Sequence, residues 1–208
     1  MIGMWRQVLL GALVLGLVLG GAFLSLMLYR DRTYVPSPSW TPQGTPNPEV
    51  AVVYYSRSGH SEAVAREVAR RFNAPIARID ADYPLDGAGL RRAGSDAKTG
   101  TLPPIRVEPL DLSRTRRLFL VAPTWWFRPA APLWSYVEQA DLTGRSVVLV
   151  TTGNSRFEQT KTDAFAARVA ARGGRFDGHL FLRRGRILWQ KTRDELLAET
   201  RDGLARFE

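Results

Sequence analysis

Between positions 56 and 61 the chain reads Ser-Arg-Ser-Gly-His-Ser, three hydroxyls and a glycine within six residues. Ahead of it runs Val50-Ala51-Val52-Val53-Tyr54-Tyr55, a continuous apolar stretch, and behind it, from about Glu62, apolar residues recur at helical spacing. Where a strand gives way to a helix, the first N–H groups of the helix lack partners and sit at the positive end of its dipole. A glycine there lets the main chain approach a guest closely. Such a place suits an anion, and a phosphate group is the expected guest. A serine- and glycine-rich turn alone is more often only a turn, so the reading depends on what surrounds it.

Other chemistries find less support. With no cysteine and only His60 and His179, thiolate chemistry, disulfides and a multi-histidine metal site fall away. A receiver domain needs an acidic pair after its first strand, where this chain has Ser56 and Arg57. Gly153-Asn154-Ser155-Arg156-Phe157 lacks the second glycine of a nucleophile elbow, and no Walker-type loop is present.

The elements that must position the 56–61 loop alternate between strand and helix. Apolar runs predict strands over Val50–Tyr55, Pro75–Asp80, Arg117–Ala122, Ser146–Thr151 and His179–Leu182. Helices are expected over Glu62–Phe72, from about Pro129 with Leu133, Trp134 and Val137 inward, over Lys161–Arg172 before the Gly173-Gly174 stop, and over Thr192–Phe207. A weaker one falls near Leu90–Lys98. Trp134 reads as core. Arg183-Arg184-Gly185-Arg186 reads as a solvated turn, with contact to phosphate lipids or a partner as the alternative. Five strands separated by helices argue for an α/β fold with an open parallel sheet and helices on both faces.

Residues 1–48 differ in kind. Val8–Tyr29 holds 22 positions without a charge. As a helix it would be about 33 Å long, against a hydrocarbon core of roughly 30 Å. Arg6 precedes it, Arg30 and Arg32 follow, and Trp5 and Tyr29 stand at its ends. A cleaved signal peptide would have a shorter apolar region and an A-x-A-like site, so residues 1–32 are expected to be an uncleaved anchor in the lipid bilayer through residues 8–29. Gly16-x-x-x-Gly20 offers a close-approach face for a homodimer, although small residues are common in membrane helices anyway. Residues 33–48 carry five prolines and no charge and read as a semi-stiff spacer, with Trp40 out of place in it. The domain proper is expected at 49–208.

The formal charge is +9, and +7 remains when residues 1–32 are left out. The arginines are scattered and no recognition motif accompanies them, so nucleic acid is rejected as a partner. A basic domain at a bilayer favours anionic headgroups or an acidic protein.

Over residues 49–208 the chain resembles the flavodoxin-like family and its quinone-reductase-like relatives. Val52-Val53-Tyr54-Tyr55-Ser56-Arg57-Ser58-Gly59-His60-Ser61-Glu62-Ala63-Val64-Ala65 is similar to the family's phosphate loop, and Pro123-Thr124-Trp125-Trp126-Phe127 to the aromatic loop beside a flavin ring. Thr151-Thr152-Gly153-Asn154-Ser155 takes the place of the third loop. The resemblance implies a doubly wound five-stranded parallel sheet in the order 2-1-3-4-5, with FMN as cofactor in the crevice at the carboxyl ends of strands one and three. Ser56, Ser58 and Ser61 would bond the phosphate, with Arg57, Gly59 and His60 around it. Trp125 or Trp126, between Pro123, Thr124 and Phe127, would stack on the ring. Thr152, Gly153 and Asn154 would meet its polar edge. The chain departs from the pattern at His60, where asparagine is usual, at Ser58 and Ser61, where threonine is commoner, and at Phe127, where glycine is usual.

No acid–base group is needed for electron or hydride transfer at a flavin, and none is assigned a catalytic role. The expected function is a membrane-anchored FMN protein carrying electrons or hydride to a quinone, a small molecule or an acidic protein partner, as carrier or as reductase. A cofactor-free binding module on the same fold is the alternative. The sequence places the protein in a membrane as a single-pass chain. A proline-rich tether suits the exported side, whereas NAD(P)H supply suits the cytoplasm.

Overall fold

The computed structural model describes residues 2–32, 36–185 and 189–208. It divides into two units, Met1–Thr33 and Tyr34–Glu208. The first is a helix, α1 (Ile2–Arg32). Within it Met4–Met27 has a mean hydropathy of 2.4, long and apolar enough to cross a membrane. Its apolar side chains are exposed, Leu17 at 69%.

The second unit contains β1 (Val50–Tyr54), α2 (His60–Phe72), β2 (Ile76–Asp80), α3 (Gly87–Thr99), β3 (Arg106–Val107) and β4 (Arg117–Trp125). There follow β5 (Arg128–Pro129), α4 (Ala131–Gln139), β6 (Ser146–Gly153), α5 (Gln159–Ala171), β7 (Arg175–Arg183) and α6 (Arg193–Leu204). The long strands pair in parallel in the order β2-β1-β4-β6-β7. Counted as parallel strands, that is the expected 2-1-3-4-5. Two short antiparallel additions were not foreseen: β3 on β2 at the sheet edge and β5 folded back on the end of β4. A period of two cannot reveal a two-residue strand.

The sheet is buried on both faces because each long strand alternates between two apolar layers. In β4, Leu118 and Leu120 face a core with Leu133 and Phe165, whereas Phe119 and Val121 face Val64, Val68 and Leu196. All of these side chains are 0–2% exposed. Glu67 of α2 clamps this second layer. It accepts from Arg70 at 2.6 Å and from Arg201 of α6 at 3.3 Å. Burial alone would raise the Glu67 pKa, but the two guanidinium groups outweigh it and hold the carboxyl below its ordinary value.

The stretch expected to act as a spacer is laid along the domain from Pro36 onward. Asn73, left-handed (φ 49) at the C-terminus of α2, accepts from Gln43 N and donates to the carbonyls of Gln43 and Thr45. Arg66 donates to the carbonyls of Ser37 and Pro38, and Arg193 to that of Pro36. Trp40 packs, half-buried, on the layer beneath α2. Polyproline-like chain leaves its carbonyls unpaired, which is what these arginine and asparagine donors find. Residues 33–35 and Arg186 lie outside the described residues.

Candidate functional site

The carboxyl ends of β1, β4 and β6 carry the three loops singled out in the sequence. After β1 the chain turns through Tyr55–Gly59, and α2 begins at His60, two residues earlier than its apolar periodicity shows. Gly59 is the N-cap, left-handed at φ 87, and no side chain caps the helix there. The buried Ser56 hydroxyl accepts from Gly59 N at 3.1 Å and so shapes the turn from inside. Ser58 is half-buried. Ser61 is buried, and its hydroxyl meets that of Thr152 at 2.8 Å. Two of the three loops are thereby tied together directly.

Arg57 points elsewhere. Its guanidinium donates to the carbonyls of Tyr83, Pro84 and Asp86, holding the β2–α3 loop against the β1–α2 loop. Its position in the sequence placed it beside the anion, whereas the structure gives it this bracing contact.

The aromatic loop is a hairpin. Trp126 and Phe127 form a two-residue turn between β4 and β5, with Thr124 opposite Pro129 and Trp125 opposite Arg128. Both turn residues are left-handed, φ 48 and φ 64. A turn with two positive φ values matches strand twist but favours asparagine and glycine, and an aromatic there stores strain. The two tryptophans part company. Trp125 lies half-buried, edge-on to Tyr55 at 5.5 Å and Tyr83 at 4.8 Å. Trp126 is 53% exposed, with the Lys98 ammonium 3.8 Å from its ring centre. Phe127 rests under Arg156, and its carbonyl accepts from Glu158 N at the start of α5. Trp134 is buried and donates to the Pro129 carbonyl at 3.1 Å, a core residue as read.

In the third loop Gly153 has no room for a side chain. A Cβ there would stand 2.5 Å from the Thr124 hydroxyl and 2.8 Å from the Phe181 ring. Pro123 pairs with Thr152 at the end of the β4–β6 ladder, bringing the second and third loops side by side. Asn154 follows, half-buried, its Oδ1 accepting from Arg184 Nη2 at 2.6 Å.

Arg184 is the residue that sequence reading misplaced. Read as part of a solvated turn, it is 8% exposed, while Arg183 beside it is exposed. Its second arm reaches His60 Nε2 at 3.1 Å. One guanidinium therefore joins the first residue of α2 to the loop after β6. Burial first, then the charges of Arg184 and Arg193, lower the His60 pKa to about 4, so the imidazole is neutral at pH 7. Local sequence carries no mark of this, since neighbouring arginines differ in burial only through the partner strand.

Among the described residues no cluster of His, Asp and Glu is arranged to hold a metal. A hollow of about 710 Å³ lies at the amino ends of the strands, lined among others by Glu49, Arg116, Arg145 and Gly174, at the opposite end of the sheet from these loops.

A sequence model of the flavodoxin family matches residues 49–179, more than half of the chain. The chain belongs to the flavodoxin family. Its fold agrees with solved structures. A flavoprotein from Lactobacillus acidophilus, in complex with FMN, shares 16% identity at a TM-score of 0.57, covering 64% of this chain and 92% of that one. A putative flavoprotein from Bacteroides eggerthii shares 16% at 0.58, covering 76% and 96%. Another from Bacteroides uniformis shares 18% at 0.57, covering 75% and 97%. At such identities the likeness is one of fold. No curated protein matches the chain. The parallel order β2-β1-β4-β6-β7 is in keeping with that family.

Proposed function

We propose that this chain binds FMN at the carboxyl ends of β1, β4 and β6 and serves as a membrane-anchored redox protein. The observation that carries the reading is the convergence just described. A helix N-terminus without a side-chain cap, a left-handed glycine, buried hydroxyls and a buried arginine meet at one end of the sheet. These residues fit an anionic group, and the exposed Trp126 ring fits an aromatic one. Ser56, Ser58, Ser61 and the amide of His60 would hold the phosphate. Trp126 is better placed than Trp125 to cover the ring, because Trp125 is packed between Tyr55 and Tyr83. Gly153 and Asn154 would meet the polar edge.

When bound, the flavin supplies one- and two-electron redox chemistry, and the protein's part is to orient it and set its surroundings. The acceptor would be a quinone, a small molecule or a protein, and an acidic protein partner would suit the charge of +9. Helix α1 would hold the domain at a bilayer, since Met4–Met27 meets the length and hydropathy such a role needs.

Spectra of the purified domain test the reading. A yellow preparation, or one that quenches the fluorescence of added FMN with saturation, supports it. A colourless protein indifferent to FMN supports a cofactor-free binding module on the same fold. Membrane fractionation of the full chain, with protease accessibility of residues 33–48 in intact and lysed cells, tests anchoring and the side the domain occupies.

A further inference from the structure

The hydroxyl-and-amide loop needs no cation to hold a phosphate, yet a guanidinium is buried beside it. The backbone around Arg184 explains why its side chain turns inward. Its N–H donates to the Gly153 carbonyl at 2.7 Å, and its own carbonyl accepts from Lys191 N at 2.8 Å. Gly185 then turns left-handed at φ 79, where a Cβ would meet the Trp189 carbonyl at 2.3 Å. Held on both sides, it follows directly on Arg183, the exposed last residue of β7, while its own side chain is buried.

What it touches fixes protons. A guanidinium carries donors only, so His60 Nε2, at 3.1 Å, must accept. A neutral His60 then carries its proton on Nδ1 and can only donate there. The Asn154 amide is oriented likewise, Oδ1 towards Arg184. Both ring and amide are left with N–H groups for another guest.

Resting on the FMN reading above, we propose that Arg184 is a specificity-determining residue of this site: it selects flavins that carry a phosphate monoester dianion by adding a fixed positive charge to the α2 N-terminus and by holding His60 as a donor. Riboflavin, which has the ring and lacks the phosphate, gains nothing from either. The chemistry adds like to like: the helix dipole and the guanidinium favour negative charge, and Nδ1–H is a donor for it.

The test compares FMN with riboflavin by fluorescence titration of the intact chain in detergent and of its Arg184→Gln and Arg184→Lys variants. Losing one charge-assisted contact costs about tenfold or more in affinity. The expected result is such a loss for FMN in Arg184→Gln, riboflavin unchanged within about twofold, and partial recovery in Arg184→Lys. Equal losses for both flavins would show that Arg184 only braces the Asn154 loop and would overturn the proposal, as would no loss for either. If Arg184→Gln does not fold, nitrogen-15 NMR of wild-type arginine side chains decides. A guanidinium signal that is absent in Arg184→Lys should shift on adding FMN or inorganic phosphate and stay still with riboflavin. A signal that ignores both anions overturns the proposal. Failure of the wild-type chain to bind any flavin refutes the FMN reading itself, a result different in kind from FMN binding that disregards Arg184.

Discussion

Ser61 and Thr152 lie 91 positions apart, and their buried hydroxyls meet at 2.8 Å. One hydroxyl must donate and the other accept, so a proton remains on one of them for a further partner. Ser61→Ala leaves Thr152 buried without this bond. It should lower stability by about 1–2 kcal/mol, and together with Ser58→Ala weaken FMN binding by about 1–3 kcal/mol. Urea unfolding and FMN titration read the two effects separately. An unchanged titration would remove the β1–α2 loop from the cofactor site.

Phe127 offers a test of stored strain. Deleting a well-packed phenylalanine costs about 3–5 kcal/mol. Phe127 occupies a left-handed position with its ring only half-buried, so Phe127→Gly should leave stability within about 1 kcal/mol of wild type. A loss above about 2 kcal/mol in denaturant unfolding would show that ring packing outweighs the backbone strain.

Gly153→Ala should act in the opposite sense. The added methyl collides with the Thr124 hydroxyl and the Phe181 ring, both on neighbouring strands. The expected cost is about 1–3 kcal/mol, with weaker FMN binding because Asn154 moves with the loop. Wild-type thermal stability in this variant would contradict the close approach.

Stability should fall with acid in a window set by the two histidines. Burial and nearby arginines lower His60 to about 4, and burial followed by Arg206 lowers His179 to about 4. Unfolded histidines titrate near 6.5, so between these values the unfolded chain binds the extra protons. The contribution is complete above pH 6.5 and is lost as pH falls to about 4, on the order of 2–3 kcal/mol for each histidine. Denaturant midpoints at pH 7, 5.5 and 4 check this. A His179→Gln variant should show a shallower decline, and a curve as steep as wild type would count against the buried neutral state.

Trp40→Ala tests the docked tether. Removing a half-buried indole should cost about 1–2 kcal/mol and speed proteolysis between residues 36 and 46. The same cleavage rate in both proteins would mean that Trp40 does not hold the segment down.

The sequence alone determined the alternation of strands and helices and the places of the loops, for a physical reason, while the strand order came with the family resemblance. Strands buried on both faces carry continuous apolar runs, as in β1 and in Val147–Val150 of β6, and the residues between strand end and helix start must manage unpaired amides; both leave local marks. The short strands β3 and β5 leave none, because two residues show no period. Trp125 and Trp126 read alike in the chain, and only the packing of Tyr55 and Tyr83 separates the half-buried ring from the exposed one. Arg57 braces a loop of carbonyls, and Arg184, which reads as part of a solvated turn, is buried against His60. Where a long flexible cation points depends on which acceptors the tertiary fold brings within reach, and those of Arg184 lie 30 and 124 positions away.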